Sequence, residues 1–187
     1  MIEERVAVFI DGPNIYGTCR ALDMRIDYKR LLDFFESEYD YLLRAFYYTP
    51  VLGNNEVDKK RSILDFISYN GYSLVTRESK EIVRADDSRV FRGSTDMDLV
   101  VGIMKMVNTG KVDHIVLMSG NGDFIPVIEY VKDMGILVTV ISSDSSRTGG
   151  RNSVSNELKR VCDEFIELDD IRHEVGSSND LEEVKVA

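Results

Sequence analysis

Strand-length apolar runs alternate with segments of helical period along almost the whole chain, and no other feature restricts the fold so strongly. "RVAVFI" (Arg5–Ile10), "RAFYYTP" (Arg44–Pro50, stopped by its proline), "YSLVT", "HIVLMS" (His114–Ser119) and "ILVTVIS" read as strands, with a short "FIEL" after them. Tyr28–Glu36, "DKKRSILDFISYNG", "DLVVGIMKMVNTG", "FIPVIEYVKDMG" and "SVSNELKRVCDEF" carry apolar residues at helical spacing, and glycines such as Gly71 and Gly110 mark the ends of these segments. "KEIVRADDSRVFRG" alternates on both sides of Asp86–Asp87–Ser88 and predicts a short hairpin. Strands apolar at nearly every position are covered on both faces. The pattern therefore predicts a three-layer α/β fold with a mostly parallel central sheet of about five to six strands.

Folds of this kind place their working groups just past the carboxyl ends of the strands, near a switch in strand order. Asp11, Gly12, Pro13 and Asn14 follow the first strand, and Gly120, Asn121, Gly122 and Asp123 follow "HIVLMS". Asp96 and Asp98 open the helix "DMDLVVGIM", where free N–H groups favour a carboxylate. Three carboxylates about 5 Å apart repel by about 3 kcal/mol per pair at an effective dielectric near 20, so such a cluster needs a cation. Oxygen donors from Asp and Asn suit Mg²⁺ or Mn²⁺ rather than Zn²⁺. Each acid also has a local explanation. Asp11 can form a turn before Gly-Pro, Asp96 and Asp123 can cap helices, and Asp98 can be a solvated first-turn charge. Asn14 can bond the backbone of its own turn.

Composition matters mainly for the partner. The net charge of −10 argues against nucleic acid until its location is considered. Nine acids and two bases lie in Asp163–Ala187, which leaves 24 acids and 21 bases in residues 1–162. The acidity belongs to the C-terminal end, and a nucleic-acid partner stays open. The reading divides the chain into a domain over residues 1–170 and an acidic, disordered tail over 171–187. No apolar run approaches the roughly 18 residues a membrane span needs, and the acidic start "MIEERVAVFID" does not resemble a signal peptide. Cys19 and Cys162, far apart and without a CxxC, read as reduced thiols of a cytoplasmic protein.

The blocks "FIDGPNIYG", "RGSTDMDLVVGIM", "VLMSGNGDFIPVIEYVKDMG" and "SNELKRVCDEFIELD" resemble, in that order, those of NYN domains, the LabA-like branch of the PIN-like nucleases. The likeness spans about residues 5–170. It implies a PIN-like, Rossmann-like fold and a Mg²⁺- or Mn²⁺-dependent endoribonuclease that leaves 5′-phosphate and 3′-hydroxyl ends. Carried over by position, Asp11, Asp96 and Asp123 are the catalytic acids and, with Asp98, the metal ligands. Asn14, Ser119, Gly120 and Asn121 support them. The family often carries an aspartate where this chain has Asn121, which removes a negative charge and points to Asp98 as its substitute.

RNA, single-stranded or structured, is the expected partner. Lys80, Arg92, Arg147 and Arg151 are the candidate contacts, with Lys59, Lys60 and Arg61 as further basic residues and Tyr16, Tyr47 or Tyr48 as stacking platforms. The loop "SSDSSRTGGRNS" reads either as a closure over a phosphate backbone or as a plain connector. Nothing in the sequence indicates a homo-oligomer. The rival reading is a PIN-like module of weak or absent catalysis that binds RNA or protein and regulates. A haloacid-dehalogenase-type phosphatase wants a second acid where Pro13 stands, and no GxGxxG supports dinucleotide binding. His114 and His173 lie outside the motif blocks, which argues against a histidine base or zinc.

Overall fold

The computed structural model describes residues 4–52, 57–83 and 89–177, with side chains described outside 52–61 and 80–92. The strands are β1 (Arg5–Asp11), β2 (Tyr41–Leu52), β3 (Tyr72–Val83), β4 (Arg89–Arg92), β5 (His114–Met118), β6 (Leu137–Ser142) and β7 (Glu164–Glu167). The helices are α1 (Gly12–Ala21), α2 (Tyr28–Glu38), α3 (Val57–Tyr69), α4 (Asp96–Val107), α5 (Ile125–Asp133), α6 (Ser145–Thr148), α7 (Asn156–Val161) and α8 (Arg172–Val175). They surround one sheet of order β4-β3-β2-β1-β5-β6-β7. Six strands run parallel, and β4 closes the hairpin edge antiparallel to β3, Lys80 facing Arg92 and Val83 facing Arg89. The expected α/β architecture is the one observed.

The continuous apolar strands are buried on both faces, as such strands must be. Val6, Val8 and Ile10 of β1 pack under α1 and α2 with Ile15, Leu31 and Phe35. Ala7 and Phe9 face the other way, toward Leu99 and Ile103 of α4 and Ile128 of α5. Alternate residues of one strand thus serve two separate cores. At the amino edge the His114 ring bonds Thr139, whose hydroxyl donates to Glu164, so a side-chain chain links β5, β6 and β7 there.

Three local expectations differ from the structure. Helix α1 was not expected, because Gly12-Pro13-Asn14 looks like a turn. It forms because Asp11 is its N-cap, accepting from Asn14 N–H, and proline is tolerated in the first turn where no intrahelical partner is lost. Strand β2 does not stop at Pro50. The last β1 partner of β2 is Tyr48, opposite Asp11, so Pro50 lies where β2 has β3 alone as neighbour, and an edge tolerates proline.

The C-terminal boundary also falls later than expected. Residues 171–177 are packed: Val175 is fully buried, Gly176 bridges Ile26, and Arg172 donates to the Leu22 carbonyl. Residues 178–187 of the expected tail lie outside the described residues. Among the described residues no helix is long and apolar enough to cross a membrane. Neither Cys19 nor Cys162 forms a disulfide among the described residues, the first being buried and the second half-buried.

Candidate functional site

Strand β1 feeds β2 on one side, and the chain later crosses through α4 to β5 on the other. Strand order therefore reverses between β1 and β5. Their carboxyl ends form the crevice where α/β sheets bind ligands. Asp11 is the last residue of β1, and Ser119 follows β5 directly.

The Asp11 side chain is only 5% exposed. Its Oδ2 accepts from Ser119 Oγ at 2.9 Å, and its Oδ1 accepts from Asn14 N–H at 3.3 Å. Ser119 Oγ in turn accepts from Asn121 N–H at 3.1 Å. Asn14 spans the crevice, its Oδ1 accepting from Gly120 N–H at 2.9 Å. The two motif blocks, more than a hundred residues apart in sequence, are stitched together by side chains. Gly120 is required by packing: a Cβ there would meet Ser142 Oγ, Ser153 O and Val154 Cα at 2.9 Å.

Burial pushes the Asp11 carboxyl up to about 6; its bonds to Ser119 and Asn14 oppose the shift, and the charge of Asp96 adds to it. Asp11 and Asp96 are therefore electrostatic neighbours. Asp96 opens α4 and its N–H donates to Ser94 Oγ, while Thr95 is the cap residue, so Asp96 is not itself the helix cap. Its carboxylate is half-buried.

Asp98 has a different commitment. Arg77 on β3 donates to it through Nε at 2.6 Å and through Nη2 to the other oxygen. That pairing holds the Asp98 carboxyl below the usual range, chiefly through the Arg77 hydrogen bond. The substitution of Asp98 for the carboxylate missing at position 121 is therefore not what the structure shows, because a bidentate guanidinium already neutralises it.

Asn121 and Asp123 form a short helical turn, Gly122–Phe124, ahead of α5. Asn121 is its cap, Oδ1 accepting from Asp123 N–H at 3.0 Å, and Asp123 is exposed. An aspartate at 121 would cap equally well, so asparagine keeps the local geometry while removing one charge. Among the described residues no three of His, Cys, Asp and Glu stand close enough to hold an ion by themselves. Among the described residues the expected gathering of Asp11, Asp96 and Asp123 around one ion is not seen, and Asp11 and Asp96 are linked as a pair through their charges. That pair still fits Mg²⁺ or Mn²⁺, which bind through one or two carboxylates and keep several waters for substrate oxygens to replace.

Of the basic residues expected to meet RNA, Arg147 is held by Asp169 and Asp170, each at 3.1 Å. Arg151 is exposed, with no ion pair among the described residues. The side chains of Lys59, Lys60, Arg61, Lys80 and Arg92 lie outside the described residues. Tyr47 and Tyr48 are buried at 7% and 2% exposure, Tyr48 stacking in the core with Phe9, so neither offers a platform. Tyr16 is 64% exposed. The Gly- and Ser-rich loop is not a slack connector. It contains α6, capped by Asp144, and Val154 and Ser155 donate backbone hydrogen bonds to Ser143 and Gly120.

The NYN family model matches residues 5–169, from the first residue of β1 to just past β7. The chain belongs to the NYN domain family. That places it among nuclease-like domains. The domain is 30% identical to the low amplitude and bright protein LabA of Synechococcus elongatus over 171 residues, covering 90% of this chain and 86% of that protein. It is 21% identical to MJ0482 of Methanocaldococcus jannaschii over 163 residues, covering 87% of this chain and 58% of that protein. A crystal structure of VPA0982 from Vibrio parahaemolyticus superposes with a TM-score of 0.71 at 23% identity, covering 94% of this chain and 97% of that one, which shows a shared fold.

Proposed function

We propose that this NYN domain is a divalent-metal-dependent endoribonuclease. The observation that carries the reading is the Asp11–Asp96 pair at the reversal of strand order, with Asp11 buried and locked in place. Asp11 and Asp96 would hold Mg²⁺ or Mn²⁺, with Asp123 at the open rim reaching it through water. When bound, such a cation supplies an activated water and neutralises charge growing on the phosphoryl oxygens.

The chain's own residues supply position. Ser119 and Asn14 fix both oxygens of Asp11, so its lone pairs point one way before substrate arrives. Asn14 and Gly120 clamp α1 to β5, which keeps the first and third acidic blocks at a constant separation. Asn121 holds the turn that carries Asp123. Asp98 is assigned to the Arg77 pair rather than to the reaction.

The test is Mn²⁺ binding by calorimetry together with cleavage of a generic RNA in Mg²⁺ or Mn²⁺, each compared with Asp11→Asn. Both activities should be present in the wild type and lost in the variant. A protein that binds RNA but cuts none with any divalent metal would instead be a regulatory binding module, the reading that Asn121 favours.

A further inference from the structure

Strand register brings one arginine to the rim of the crevice. Asp11 ends β1 opposite Tyr48 of β2, and Tyr48 in turn lies opposite Val75 of β3. All three share one face of the sheet. Phe9, Tyr48 and Val75 pack in the core under α4, and Asp11 follows Phe9 by two residues. Arg77 follows Val75 by two, so it rises from the same face, one step past the level of Asp11. Two strand spacings and one such step put its backbone roughly 10 Å to the side of Asp11 and roughly 7 Å beyond it. From there the side chain leans toward the first turn of α4, where Asp98 accepts it two residues after Asp96.

This pairing is of a kind that can be exchanged. The Arg77 side chain is 60% exposed and that of Asp98 23%. An ion pair so open to solvent is worth little, and opening it costs little. Its geometry is bidentate, Nε to one carboxylate oxygen and Nη2 to the other, and a phosphate presents the same fork of oxygens. Other paired arginines lack this freedom or this place. Arg5 is bound to Asp113 at the opposite, amino end of β1, through its backbone N–H as well as its side chain. Arg172 also holds the Leu22 and Asp23 carbonyls, and Arg147 is gripped by two aspartates beyond β7.

Phosphodiester hydrolysis calls for a cation at this rim. Water adds to phosphorus as the bond to the 3′-oxygen breaks; the water releases a proton to solvent and the departing oxygen takes one up. In between, the phosphoryl oxygens gain negative charge close to two carboxylates. Asp11 and Asp96 together match the charge of one divalent ion, which leaves the growing charge without a partner of its own.

We propose that Arg77 is that partner: it rests on Asp98 in the free protein and turns to the nonbridging oxygens of the phosphate being cleaved. This rests on the nuclease reading for the reaction, although the phosphate contact is measurable without cleavage. A purely structural ion pair loses the same function whichever member is removed. A resting pair loses function only with the arginine.

The experiment compares cleavage of a short labelled RNA in Mn²⁺ by wild type, Arg77→Gln, Arg77→Lys and Asp98→Asn, with melting curves to confirm that each is folded. Arg77→Gln should lower kcat about a hundredfold and keep KM within about fivefold. Arg77→Lys, which retains the charge without the fork, should come back to within about tenfold of wild type. Asp98→Asn should keep kcat within about twofold. In EDTA, where nothing is cut, fluorescence anisotropy with the same RNA should show the log–log salt dependence flattened by about 0.7 in Arg77→Gln and unchanged in Asp98→Asn. A wild-type kcat or an unchanged salt slope in Arg77→Gln, or an equal fall of kcat in Asp98→Asn, would overturn the proposal. An Arg77-dependent slope with no cleavage by wild type in Mn²⁺ would overturn the nuclease reading alone.

Discussion

Replacing Asp11 by asparagine should make the metal-free protein more stable while abolishing cleavage. The carboxyl titrates near 6 in the fold, raised first by burial, against an ordinary 3.8. At 1.36 kcal/mol per unit, the roughly two-unit rise means that the ionised Asp11 costs the fold about 3 kcal/mol at neutral pH. The sign follows from proton binding. The folded state holds the proton more tightly than the unfolded chain, so the contribution is neutral below about pH 4 and unfavourable above about pH 6. Asparagine keeps the geometry: Oδ1 still accepts from Asn14 N–H, and Nδ2 can donate to Ser119 Oγ, which then acts as acceptor.

Urea unfolding in EDTA from pH 3.5 to 8 should therefore show Asp11→Asn and wild type equal at the acid end. The variant should pull ahead between pH 4 and 6 and reach a plateau of about 3 kcal/mol, or roughly 6–12 °C in Tm for a chain of this size. Every other titrating group is common to both proteins and cancels in the difference. A gain that is constant with pH, or a loss at pH 7.5, would refute the claim that burial of this charge is the cause.

Asp96→Asn should lower the Asp11 pKa by removing a like charge, narrowing the stability gap in the same titration, and should also abolish RNA cleavage. Ser119→Ala removes a bond to the ionised Asp11 and should raise its pKa further; the loss of stability with rising pH still begins near the ordinary carboxylate range but runs on to a higher pH, with a net cost of about 1–3 kcal/mol in urea unfolding. Gly120→Ala drives a Cβ into Ser153 O and Val154 Cα and should cost about 1–3 kcal/mol, read as a drop in the urea midpoint. Asp98→Asn breaks an ion pair whose Arg77 partner is 60% exposed, so it should change stability by at most about 1 kcal/mol and leave RNA cleavage intact.

The strand plan was readable because β1, β5 and β6 are apolar at almost every position, a pattern that burial on both faces imposes and little else produces. The position of Asp11 was readable for the same reason, since a carboxylate directly after such a strand stands out. Helix α1 was not, because its cap is the very residue that looked like a turn former and its first turn holds the proline. The fate of Asp98 was also hidden. Its partner Arg77 lies 21 residues away on another element, and that pairing depends on where β3 passes α4. Asn121 was read only as a missing negative charge. Its capping bond to Asp123 shows that the same side chain carries a backbone role, which charge counting cannot see.

Arg172 deserves to be seen as a fastener. It reaches back from α8 to the Leu22 and Asp23 carbonyls at the far end of the rod whose near end is capped by Asp11, while Asp169 grips it from behind. Digestion that stops at Ser177 leaves that fastener whole. Digestion that removes Arg172 unhooks the rod's distal end and bares the apolar surface that Val175 covers, so trimming from the carboxyl side should have a sharp threshold rather than a gradual effect.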